Sequence, residues 1–340
     1  ENLQIPVFLF LSLEALLLWL IANPQFYQAA YLLLPFVVFT ELVFMSWGTY
    51  NERDTISKSE LKSRTGYNDY TIEAMNFIHS KDSGFYRVQK NYYSGLSSNP
   101  SLNDALIQGY YSSSSYHSFN QKNYVNFLQK MHLISDSIEG ETRWIYGVGQ
   151  HLPLLQLISN RYLLLTGPTS SMSNIGYDSI ATFNGINIFK YRFSLPLGFT
   201  YDAYIPEKEM EKVSSSMSKD AMLLRGAVVG NGVSNNELYD MKILSAIDTG
   251  GTNSLDIFEK ASSKLKEDTL RITHFSQNLI TGSISPKRKK LLFFSIPFDS
   301  GWKAKIDGRD VNAIMVNFGF LGYVLEKGSH EVELKYDPGY

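Results

Sequence analysis

Two long apolar runs open the chain, and a polar sequence follows them. Residues 5–22 read IPVFLFLSLEALLLWLIA, residues 26–47 read FYQAAYLLLPFVVFTELVFMSW, and neither run contains Lys or Arg. A helix that crosses a bilayer core of about 30 Å needs about 20 mostly apolar residues, and both runs approach that length. Neither run has the polar face of a surface helix, and the turn signal Asn23-Pro24-Gln25 separates them. The pattern predicts a transmembrane helical hairpin over residues 1–48, with a buried helical pair of a soluble protein as the alternative.

Residues 49–198 mix helical and strand patterns. Apolar residues recur at helical spacing in some segments and alternate in others, and Asn184-Gly185 is a hairpin turn signal between two alternating runs. The predicted helices are 71–80, 103–108 with Asn103 as its cap, and 124–133 with Asn120 as its cap, and the predicted strands are 85–90, 161–166, 180–183 and 186–191. These segments predict a mixed α/β domain that ends near Pro196-Leu197-Gly198.

From residue 199 onward strand patterns dominate. One charged segment, 206–217, is predicted to be helical because Pro and three Glu residues occupy its first turns. The predicted strands are 241–247, 270–275, 279–284, 291–296, 302–306, 311–316, 321–325 and 330–336, with a type I′ turn at Asp307-Gly308. Strands at this spacing predict an antiparallel, jelly-roll-like β-sandwich over residues 199–340.

Composition narrows the possible chemistry. The net charge of −2 argues against nucleic-acid binding. The chain contains no Cys, and its six His residues show no ligand spacing, so no metal site is expected. Tyr is abundant, with 22 residues, and several lie beside Ser, as sugar-stacking rings do, although half-buried structural Tyr is the alternative. The basic run at residues 287–290 is expected to be a solvated turn, or else a contact for anionic lipid or polymer phosphate.

Short motifs spread over the whole chain carry a family resemblance. They include FSIPFDSGW at 294–302, the Asp307-Gly308 turn, YDPG at 336–339, YRV at 86–88, NDA at 103–105, SFN at 118–120 and RYLL at 161–164. Together these motifs resemble the C-terminal exported domain of YfhO-type bacterial membrane proteins. The match consists of short separated motifs, and Gly-Trp before an Asp-Gly turn is fairly specific as a combination but weak as single motifs.

The resemblance implies a function. YfhO-type proteins are similar to GT-C glycosyltransferases, which have many membrane helices and large domains on the extracellular face of the bacterial cell membrane. The implied reaction moves a sugar from a polyprenyl-phosphate carrier to a cell-envelope polymer such as teichoic acid, beside membrane lipid and without a cofactor. The catalytic carboxylate would lie in an early outer loop, so we expect this chain to be a C-terminal portion whose catalytic residues are unknown. A non-catalytic carbohydrate-binding or assembly module is the alternative.

Two acidic residues lie within the apolar runs. Glu14 and Glu41 are costly inside a bilayer, where ionisable groups usually face a bundle interior or a wet cavity. One interpretation places them on the path of the carrier lipid or against a further helix. A protonated or interface-facing glutamate is the other.

The exported region offers candidates for binding the acceptor polymer. Five of them, all near motifs of the resemblance, are expected to line a groove by hydrogen bonding and stacking: Asp104, Tyr110, Tyr111, Asn120 and Asn123. Local helix capping is the alternative for the Asp and Asn residues. Trp302 is a candidate sugar platform, with anchoring in the core as its alternative.

Overall fold

The computed structural model describes residues 4–51, 55, 57–59, 66–95, 102–230, 232–233, 238–246 and 255–339. The chain forms two compact units, residues 1–60 and 61–340. The predicted domain division at 198/199 stays a prediction.

The first unit consists of two helices, α1 (Gln4–Ile21) and α2 (Tyr27–Asn51). They run antiparallel, and the Phe10 and Phe44 rings lie 6.0 Å apart. Apolar side chains cover their outer surfaces; Phe8 and Leu32, for example, are more than 70% exposed. Among the described residues, one helix, α2, is long and apolar enough to cross a membrane by length and composition, and α1 is a shorter apolar helix. Helices that are apolar all round require a non-aqueous environment, but a hairpin in which both helices span the membrane stays a prediction.

The second unit is mixed α and β. Its described helices are α3 Thr71–Lys81, α4 Asp104–Gln108, α5 Lys122–Lys130, α6 Glu139–Arg143, α7 Leu152–Leu157, α8 Glu207–Glu211, α9 Ser216–Leu223 and α10 Leu255–Leu265. Its described strands are β1 Arg87–Lys90, β2 Ser115–Tyr116, β3 Trp144–Ile145, β4 Asn160–Thr166, β5 Tyr177–Phe183, β6 Ile186–Tyr191, β7 Gly198–Tyr201, β8 Ala203–Pro206, β9 Ala227–Val229, β10 Lys242–Ile243, β11 Arg271–Phe275, β12 Leu279–Ile284, β13 Lys290–Pro297, β14 Trp302–Ile306, β15 Arg309–Val311, β16 Ile314–Val316, β17 Phe320–Leu325 and β18 His330–Tyr336. Strands β2 and β3 form a small separate pair.

A four-stranded sheet, in the order β1-β4-β6-β5, supports the first half of this unit. Strand β1 is parallel to β4, and the other two pairs are antiparallel. Side chains on β4 alternate between two hydrophobic cores. Tyr162 and Leu164 pack with Met75 and Ile78 of α3. Leu163 faces the main core, which is the large cluster of buried residues that also contains Phe293. Helix α3 therefore covers one face of this sheet.

Two larger sheets form the second half. The first has seven strands in the order β10-β8-β9-β16-β17-β13-β7, and the second has five in the order β11-β12-β18-β14-β15. On β13, Leu291 and Phe293 belong to the main core, while Leu292 and Phe294 share a second core with inward residues of the five-stranded sheet such as Leu334. The outer face of the five-stranded sheet carries exposed charged residues. The seven-stranded sheet thus has a hydrophobic core on each face.

Most of the predicted C-terminal strands and both predicted hairpin turns are confirmed. The Asn184-Gly185 turn joins β5 to β6. Asp307 and Gly308 both have positive φ, 55° and 76°, as a type I′ turn requires. The five-stranded sheet is entirely antiparallel. The seven-stranded sheet is not, because β8 pairs in parallel with both β9 and β10.

Several element predictions are wrong. Residues 206–217 do not form one helix, because β8 extends to Pro206 and the following segment breaks into α8 and α9. Helix α10 was not predicted. Predicted strand 311–316 splits between β15 and β16, which belong to different sheets. Of predicted strand 241–247, only Lys242–Ile243 is extended, and its last residue lies outside the described residues.

Candidate functional site

An open cleft with an aromatic wall is the first candidate site. Its volume is about 740 Å³. The Phe85 ring centroid lies 5.0 Å from those of Tyr111 and Phe275, and the Tyr111 and Phe275 rings meet edge to face at 5.9 Å. Tyr111 is 49% exposed, so it presents ring surface to solvent. The cleft is lined by His79, Asp82, Ser83, Gly84, Phe85, Tyr86, Gly109, Tyr110, Tyr111, Arg161, Pro196, Leu197, Leu270, Ile272, Thr273, His274 and Phe275.

The polar side of this cleft is a fixed ion pair. Asp82 Oδ2 accepts hydrogen bonds from Arg161 Nη1 at 2.6 Å and from the Tyr162 hydroxyl at 2.9 Å, and Oδ1 accepts from the Gly84 amide at 3.1 Å. Burial acts to raise the pKa of Asp82, but the hydrogen bond and charge of Arg161, with the other donors, outweigh it and hold that pKa below its usual value. A carboxylate held in this way is a weak proton acceptor. The geometry favours binding over proton transfer.

Arg87 lies beside the aromatic wall and has no anionic partner in the described chain. Its Nη1 donates to the Ile158 carbonyl at 2.6 Å and to Ser295 Oγ at 3.0 Å, and Nη2 donates to the Ser295 carbonyl at 2.8 Å. The guanidinium lies 5.0 Å from the Phe85 ring centroid. Burial lowers the pKa of Arg87 to about 10, so the group remains charged at neutral pH. A partly buried guanidinium that has no carboxylate partner can bind an anion.

A second cavity, of about 200 Å³, adjoins Arg87. Hydroxyl and amide side chains predominate among its lining residues, which are Arg87, Ser112, Ser113, Ser114, Ser115, Asn120, Gln121, Tyr124, Ile158, Ser295, Pro297 and Phe320. Tyr111 lines the aromatic cleft, and the next residue, Ser112, lines this cavity, so one stretch of chain lines both cavities. We call the aromatic cleft and this cavity together the cleft–arginine site.

The predicted tyrosines both line the aromatic cleft. Tyr111 forms part of the wall, whereas Tyr110 is more enclosed and burial raises its pKa, with the charge of Asp104 adding to the effect. Tyr110 also lines a small cavity of about 70 Å³. Of the two, Tyr111 offers the accessible ring.

Asp104 is committed to an internal ion pair. Lys90 Nζ lies 2.7 Å from Asp104 Oδ2, and both side chains are about 5% exposed. The Ser94 amide donates to the same oxygen at 2.8 Å. Asp104 lines only the small cavity, so it lies outside the aromatic cleft.

Asn120, one of the two predicted Asn residues, hydrogen bonds to two other segments of the chain. The Asn120 amide donates to the carbonyls of Thr142 and Arg143 at 2.9 and 3.1 Å, and its carbonyl accepts from Ser115. Asn120 lines the serine-rich cavity, but Gln121, and not Asn120, accepts the capping bond at the start of α5.

Asn123 and Trp302 lie apart from the cleft–arginine site. Asn123 Nδ2 donates to the Phe298 carbonyl at 2.6 Å, which ties α5 to the end of β13. Trp302 packs on the Tyr336 ring at 5.1 Å and lines a separate cavity of about 580 Å³. The structure therefore distributes the predicted groove residues over several cavities.

Two further sequence interpretations concern Asn103 and the basic run. Asn103 precedes α4 but makes no capping bond, because its amide pairs with the backbone of Tyr116. The basic run is not simply a solvated turn, since Lys290 is buried between Asp202 at 2.9 Å and Asp268 at 2.7 Å.

In the first unit, Glu14 and Glu41 face each other. Both side chains are partly buried, and the two carboxyl groups lie near each other. The role of this pair on a lipid path stays a prediction.

The residues that sequence reasoning missed are Asp82, Phe85, Arg87, Arg161 and Phe275. A usable signal existed for one pair, because strand alternation places residues 85 and 87 on the same face. No group of three or more His, Asp or Glu residues that could hold a metal ion occurs among the described residues.

Comparisons with known proteins agree on one family. A family model described as "Bacterial membrane protein YfhO" matches residues 1–257 and 251–340. An "Uncharacterized protein YfhO" of Bacillus subtilis (strain 168) is 28% identical over 67 residues, which cover 20% of this chain and 8% of that protein. No solved structure matches the chain. Since the family model spans both the apolar helices and the second unit, the chain belongs to the YfhO family of bacterial membrane proteins.

Proposed function

We propose that the chain is the exported C-terminal part of a polytopic membrane glycosyltransferase, which transfers a sugar from a polyprenyl-phosphate carrier to a cell-envelope polymer such as teichoic acid. In this proposal the second unit lies on the extracellular face and the cleft–arginine site holds the acceptor polymer. Membership of a membrane protein family and the apolar helix α2 support the membrane location.

The observation that carries the proposal is the juxtaposition of stacking rings and an uncompensated guanidinium. Phe85, Tyr111 and Phe275 offer ring surface and edges for the C–H faces of a sugar or polyol. Arg87 and the adjoining serines offer the planar donors and hydroxyls that bind phosphate. A polymer of alternating polyol and phosphate units presents both a C–H face and a phosphate in every repeat.

The same geometry supports polymer holding, and not bond formation, as the role of this site. The reaction needs a base for the acceptor hydroxyl, and Asp82, the carboxylate of the cleft, is held in its ion pair with Arg161. We therefore place the catalytic carboxylate in a part of the transferase outside this chain. The tied Asp82 also favours the second candidate function, a non-catalytic module that binds or positions envelope polymer.

Binding of polymer to the full chain tests the proposal. The chain would be purified in a detergent without a sugar headgroup and titrated with glycerol-phosphate polymer, with a neutral dextran as the matched ligand. We expect measurable binding of the phosphate polymer that weakens with added salt, because screening reduces the attraction of Arg87 for phosphate. Equal binding of dextran would contradict the role of Arg87.

Two variants locate the bound polymer. Loss of one aromatic contact costs about 0.5–1.5 kcal/mol, so Tyr111→Ala should weaken binding by roughly 2- to 13-fold. Arg87→Lys should weaken it further, because lysine lacks the planar fork. Tyr239→Ala, a change at a 71% exposed tyrosine that does not line the cleft, is the control and should bind as the wild type does.

A transfer assay separates the two candidate functions. The transferase that contains this chain, reconstituted with a polyprenyl-phosphate sugar, should label glycerol-phosphate polymer and lose most of that activity with Tyr111→Ala. Polymer binding without transfer by the reconstituted protein would refute the transferase and leave the binding module.

A further inference from the structure

A further cavity in the second unit, which we call the histidine cavity, is lined by two histidines that are held at different ring nitrogens. Its volume is about 740 Å³, within the range of small-molecule sites. His132, His151 and Asp220 lie in its lining, together with the apolar side chains of Leu152 and Phe258. None of these residues lines the cleft–arginine site.

His151 is oriented by a buried carboxylate. Its Nδ1 lies 2.6 Å from Oδ2 of Asp220, which is 3% exposed. The other Asp220 oxygen has no hydrogen-bond partner in the described chain. Burying a carboxylate with one oxygen unpaired is costly, so Asp220 is better explained by what it does to His151 than by stability. When Asp220 is ionised and His151 is neutral, this contact places the imidazole proton on Nδ1 and leaves Nε2 as a hydrogen-bond acceptor.

His132 is held at the opposite ring nitrogen. Lys219 Nζ lies 2.8 Å from His132 Nε2 and also donates to the Lys130 carbonyl at 3.3 Å. Because an ammonium has no acceptor and a second cation at 2.8 Å would be repelled, Nε2 must accept the bond. The proton of His132 is then on Nδ1, where it is available as a donor. This residue also has a left-handed backbone, with φ of 58°, which costs conformational energy.

From this pairing we propose that the cavity is a binding site for a neutral sugar ring, which uses a donor at His132 Nδ1 and an acceptor at His151 Nε2. A polyol suits this pair because each of its hydroxyls both donates and accepts one hydrogen bond. The apolar walls at Leu152 and Phe258 suit the C–H faces of the ring. The inference does not depend on the proposed transferase, because the donor–acceptor pair would bind a sugar in a polymer or a free sugar alike.

The protonated nitrogen of each imidazole ring can be measured in the wild-type chain, without a variant. In the full chain, in a detergent without a sugar headgroup, ring ¹⁵N spectra should show both His132 and His151 protonated on Nδ1. Protonation of either ring on Nε2, alone or together with Nδ1, would overturn the proposed pairing. Addition of a methyl glycopyranoside that binds should shift the signals of both rings.

Binding measurements use methyl glucopyranoside, methyl galactopyranoside and methyl mannopyranoside as probes. We expect at least one of them to bind, and His151→Phe to weaken that binding at least tenfold, because the ring volume is kept while the acceptor is lost. His132→Asn should retain binding within about threefold, since Asn tolerates a left-handed backbone and keeps a donor. Asp220→Asn tests the positioning residue and should weaken binding together with a change in the His151 tautomer.

The outcomes separate this site from the cleft–arginine site. Tyr239→Ala, a change at an exposed tyrosine that lines neither this cavity nor the cleft–arginine site, should leave glycoside binding unchanged. Glycoside binding that is lost in Tyr111→Ala but kept in His151→Phe would overturn the site in the histidine cavity. The absence of binding by all three glycosides would overturn it as well. Binding of inorganic phosphate in their place would identify an anion site and refute the neutral-sugar assignment. If the wild-type chain binds a glycoside but does not bind glycerol-phosphate polymer, the proposed function is refuted and the site in the histidine cavity is not.

Discussion

Lys290 should be among the most sensitive charged positions in the second unit. Its side chain is 3% exposed and its ammonium lies 2.9 Å from Asp202 and 2.7 Å from Asp268, whose side chains are 11% and 8% exposed. Lys290→Met keeps much of the side-chain volume but leaves both carboxylates without their shared cation. Asp202 keeps Arg288 at 2.8 Å, whereas Asp268 has no other ion-pair partner in the described chain.

Removal of one member of a buried ion pair costs about 3–5 kcal/mol, because the remaining charge stays buried. With about 2–4 °C lost per kcal/mol for a unit of this kind, the melting temperature should fall by at least about 6 °C. Near-UV circular dichroism of the full chain in detergent would follow the loss of tertiary packing. Lys289→Met is the matched control, because its partner Glu326 is 70% exposed, and it should cost less than about 1 kcal/mol.

The stability that the Lys290 ion pairs contribute should depend on pH. Burial acts to lower the pKa of Lys290, but Asp268 and Asp202 outweigh it and raise that pKa, so its contribution is complete below 10.5 and is lost as the pH rises through the raised value. Burial acts to raise the pKa of Asp202, but Lys290 and Arg288 outweigh it and lower that pKa, so its contribution is complete above 3.8 and is lost as the pH falls through the lowered value. The difference between wild type and Lys290→Met should therefore shrink at both extremes. A melting temperature for Lys290→Met within about 2 °C of that of Lys289→Met would refute the reasoning, and partial recovery in Lys290→Met/Asp268→Asn would support it.

Two other predictions concern single contacts. Gly319→Ala should destabilise the second unit by several kcal/mol, measured as a fall in melting temperature, because an added Cβ would clash with the backbone carbonyl oxygen of Asn123. An unchanged melting temperature would contradict this contact. Burial acts to lower the pKa of His330, but Asp307 at 2.7 Å and the Glu326 carbonyl outweigh it, so the NMR titration of the ring should lie above 6.5 and move down in Asp307→Asn. The stabilising contribution of His330 is then complete below 6.5 and is lost as the pH rises through the raised value, and an unmoved titration in Asp307→Asn would exclude the pair as its cause.

Much of the fold was predictable because its signals are local. Run length and hydropathy identified the two apolar helices, and alternation identified strands such as β12, β14 and β18 with the bounds that the structure gives. Positive φ at Asn-Gly and Asp-Gly turns is likewise a property of neighbouring residues. The prediction of one helix over 206–217 failed because helix α8 ends at Glu211 and Ser215 caps a separate helix, α9, that begins at Ser216.

The sequence by itself determined that an apolar helix precedes a polar unit, which residues alternate, and that tyrosines are common near polar side chains. Only the tertiary structure decided which of these residues meet. Arg87 contacts residues 71 and 208 positions away, and His151 contacts Asp220 across 69 positions. Periodicity encodes which face a side chain occupies, whereas the absence of a counter-charge or the orientation of an imidazole depends on every chain segment that packs around it. The aromatic cleft, the uncompensated arginine and the opposed histidines are therefore properties of the folded chain.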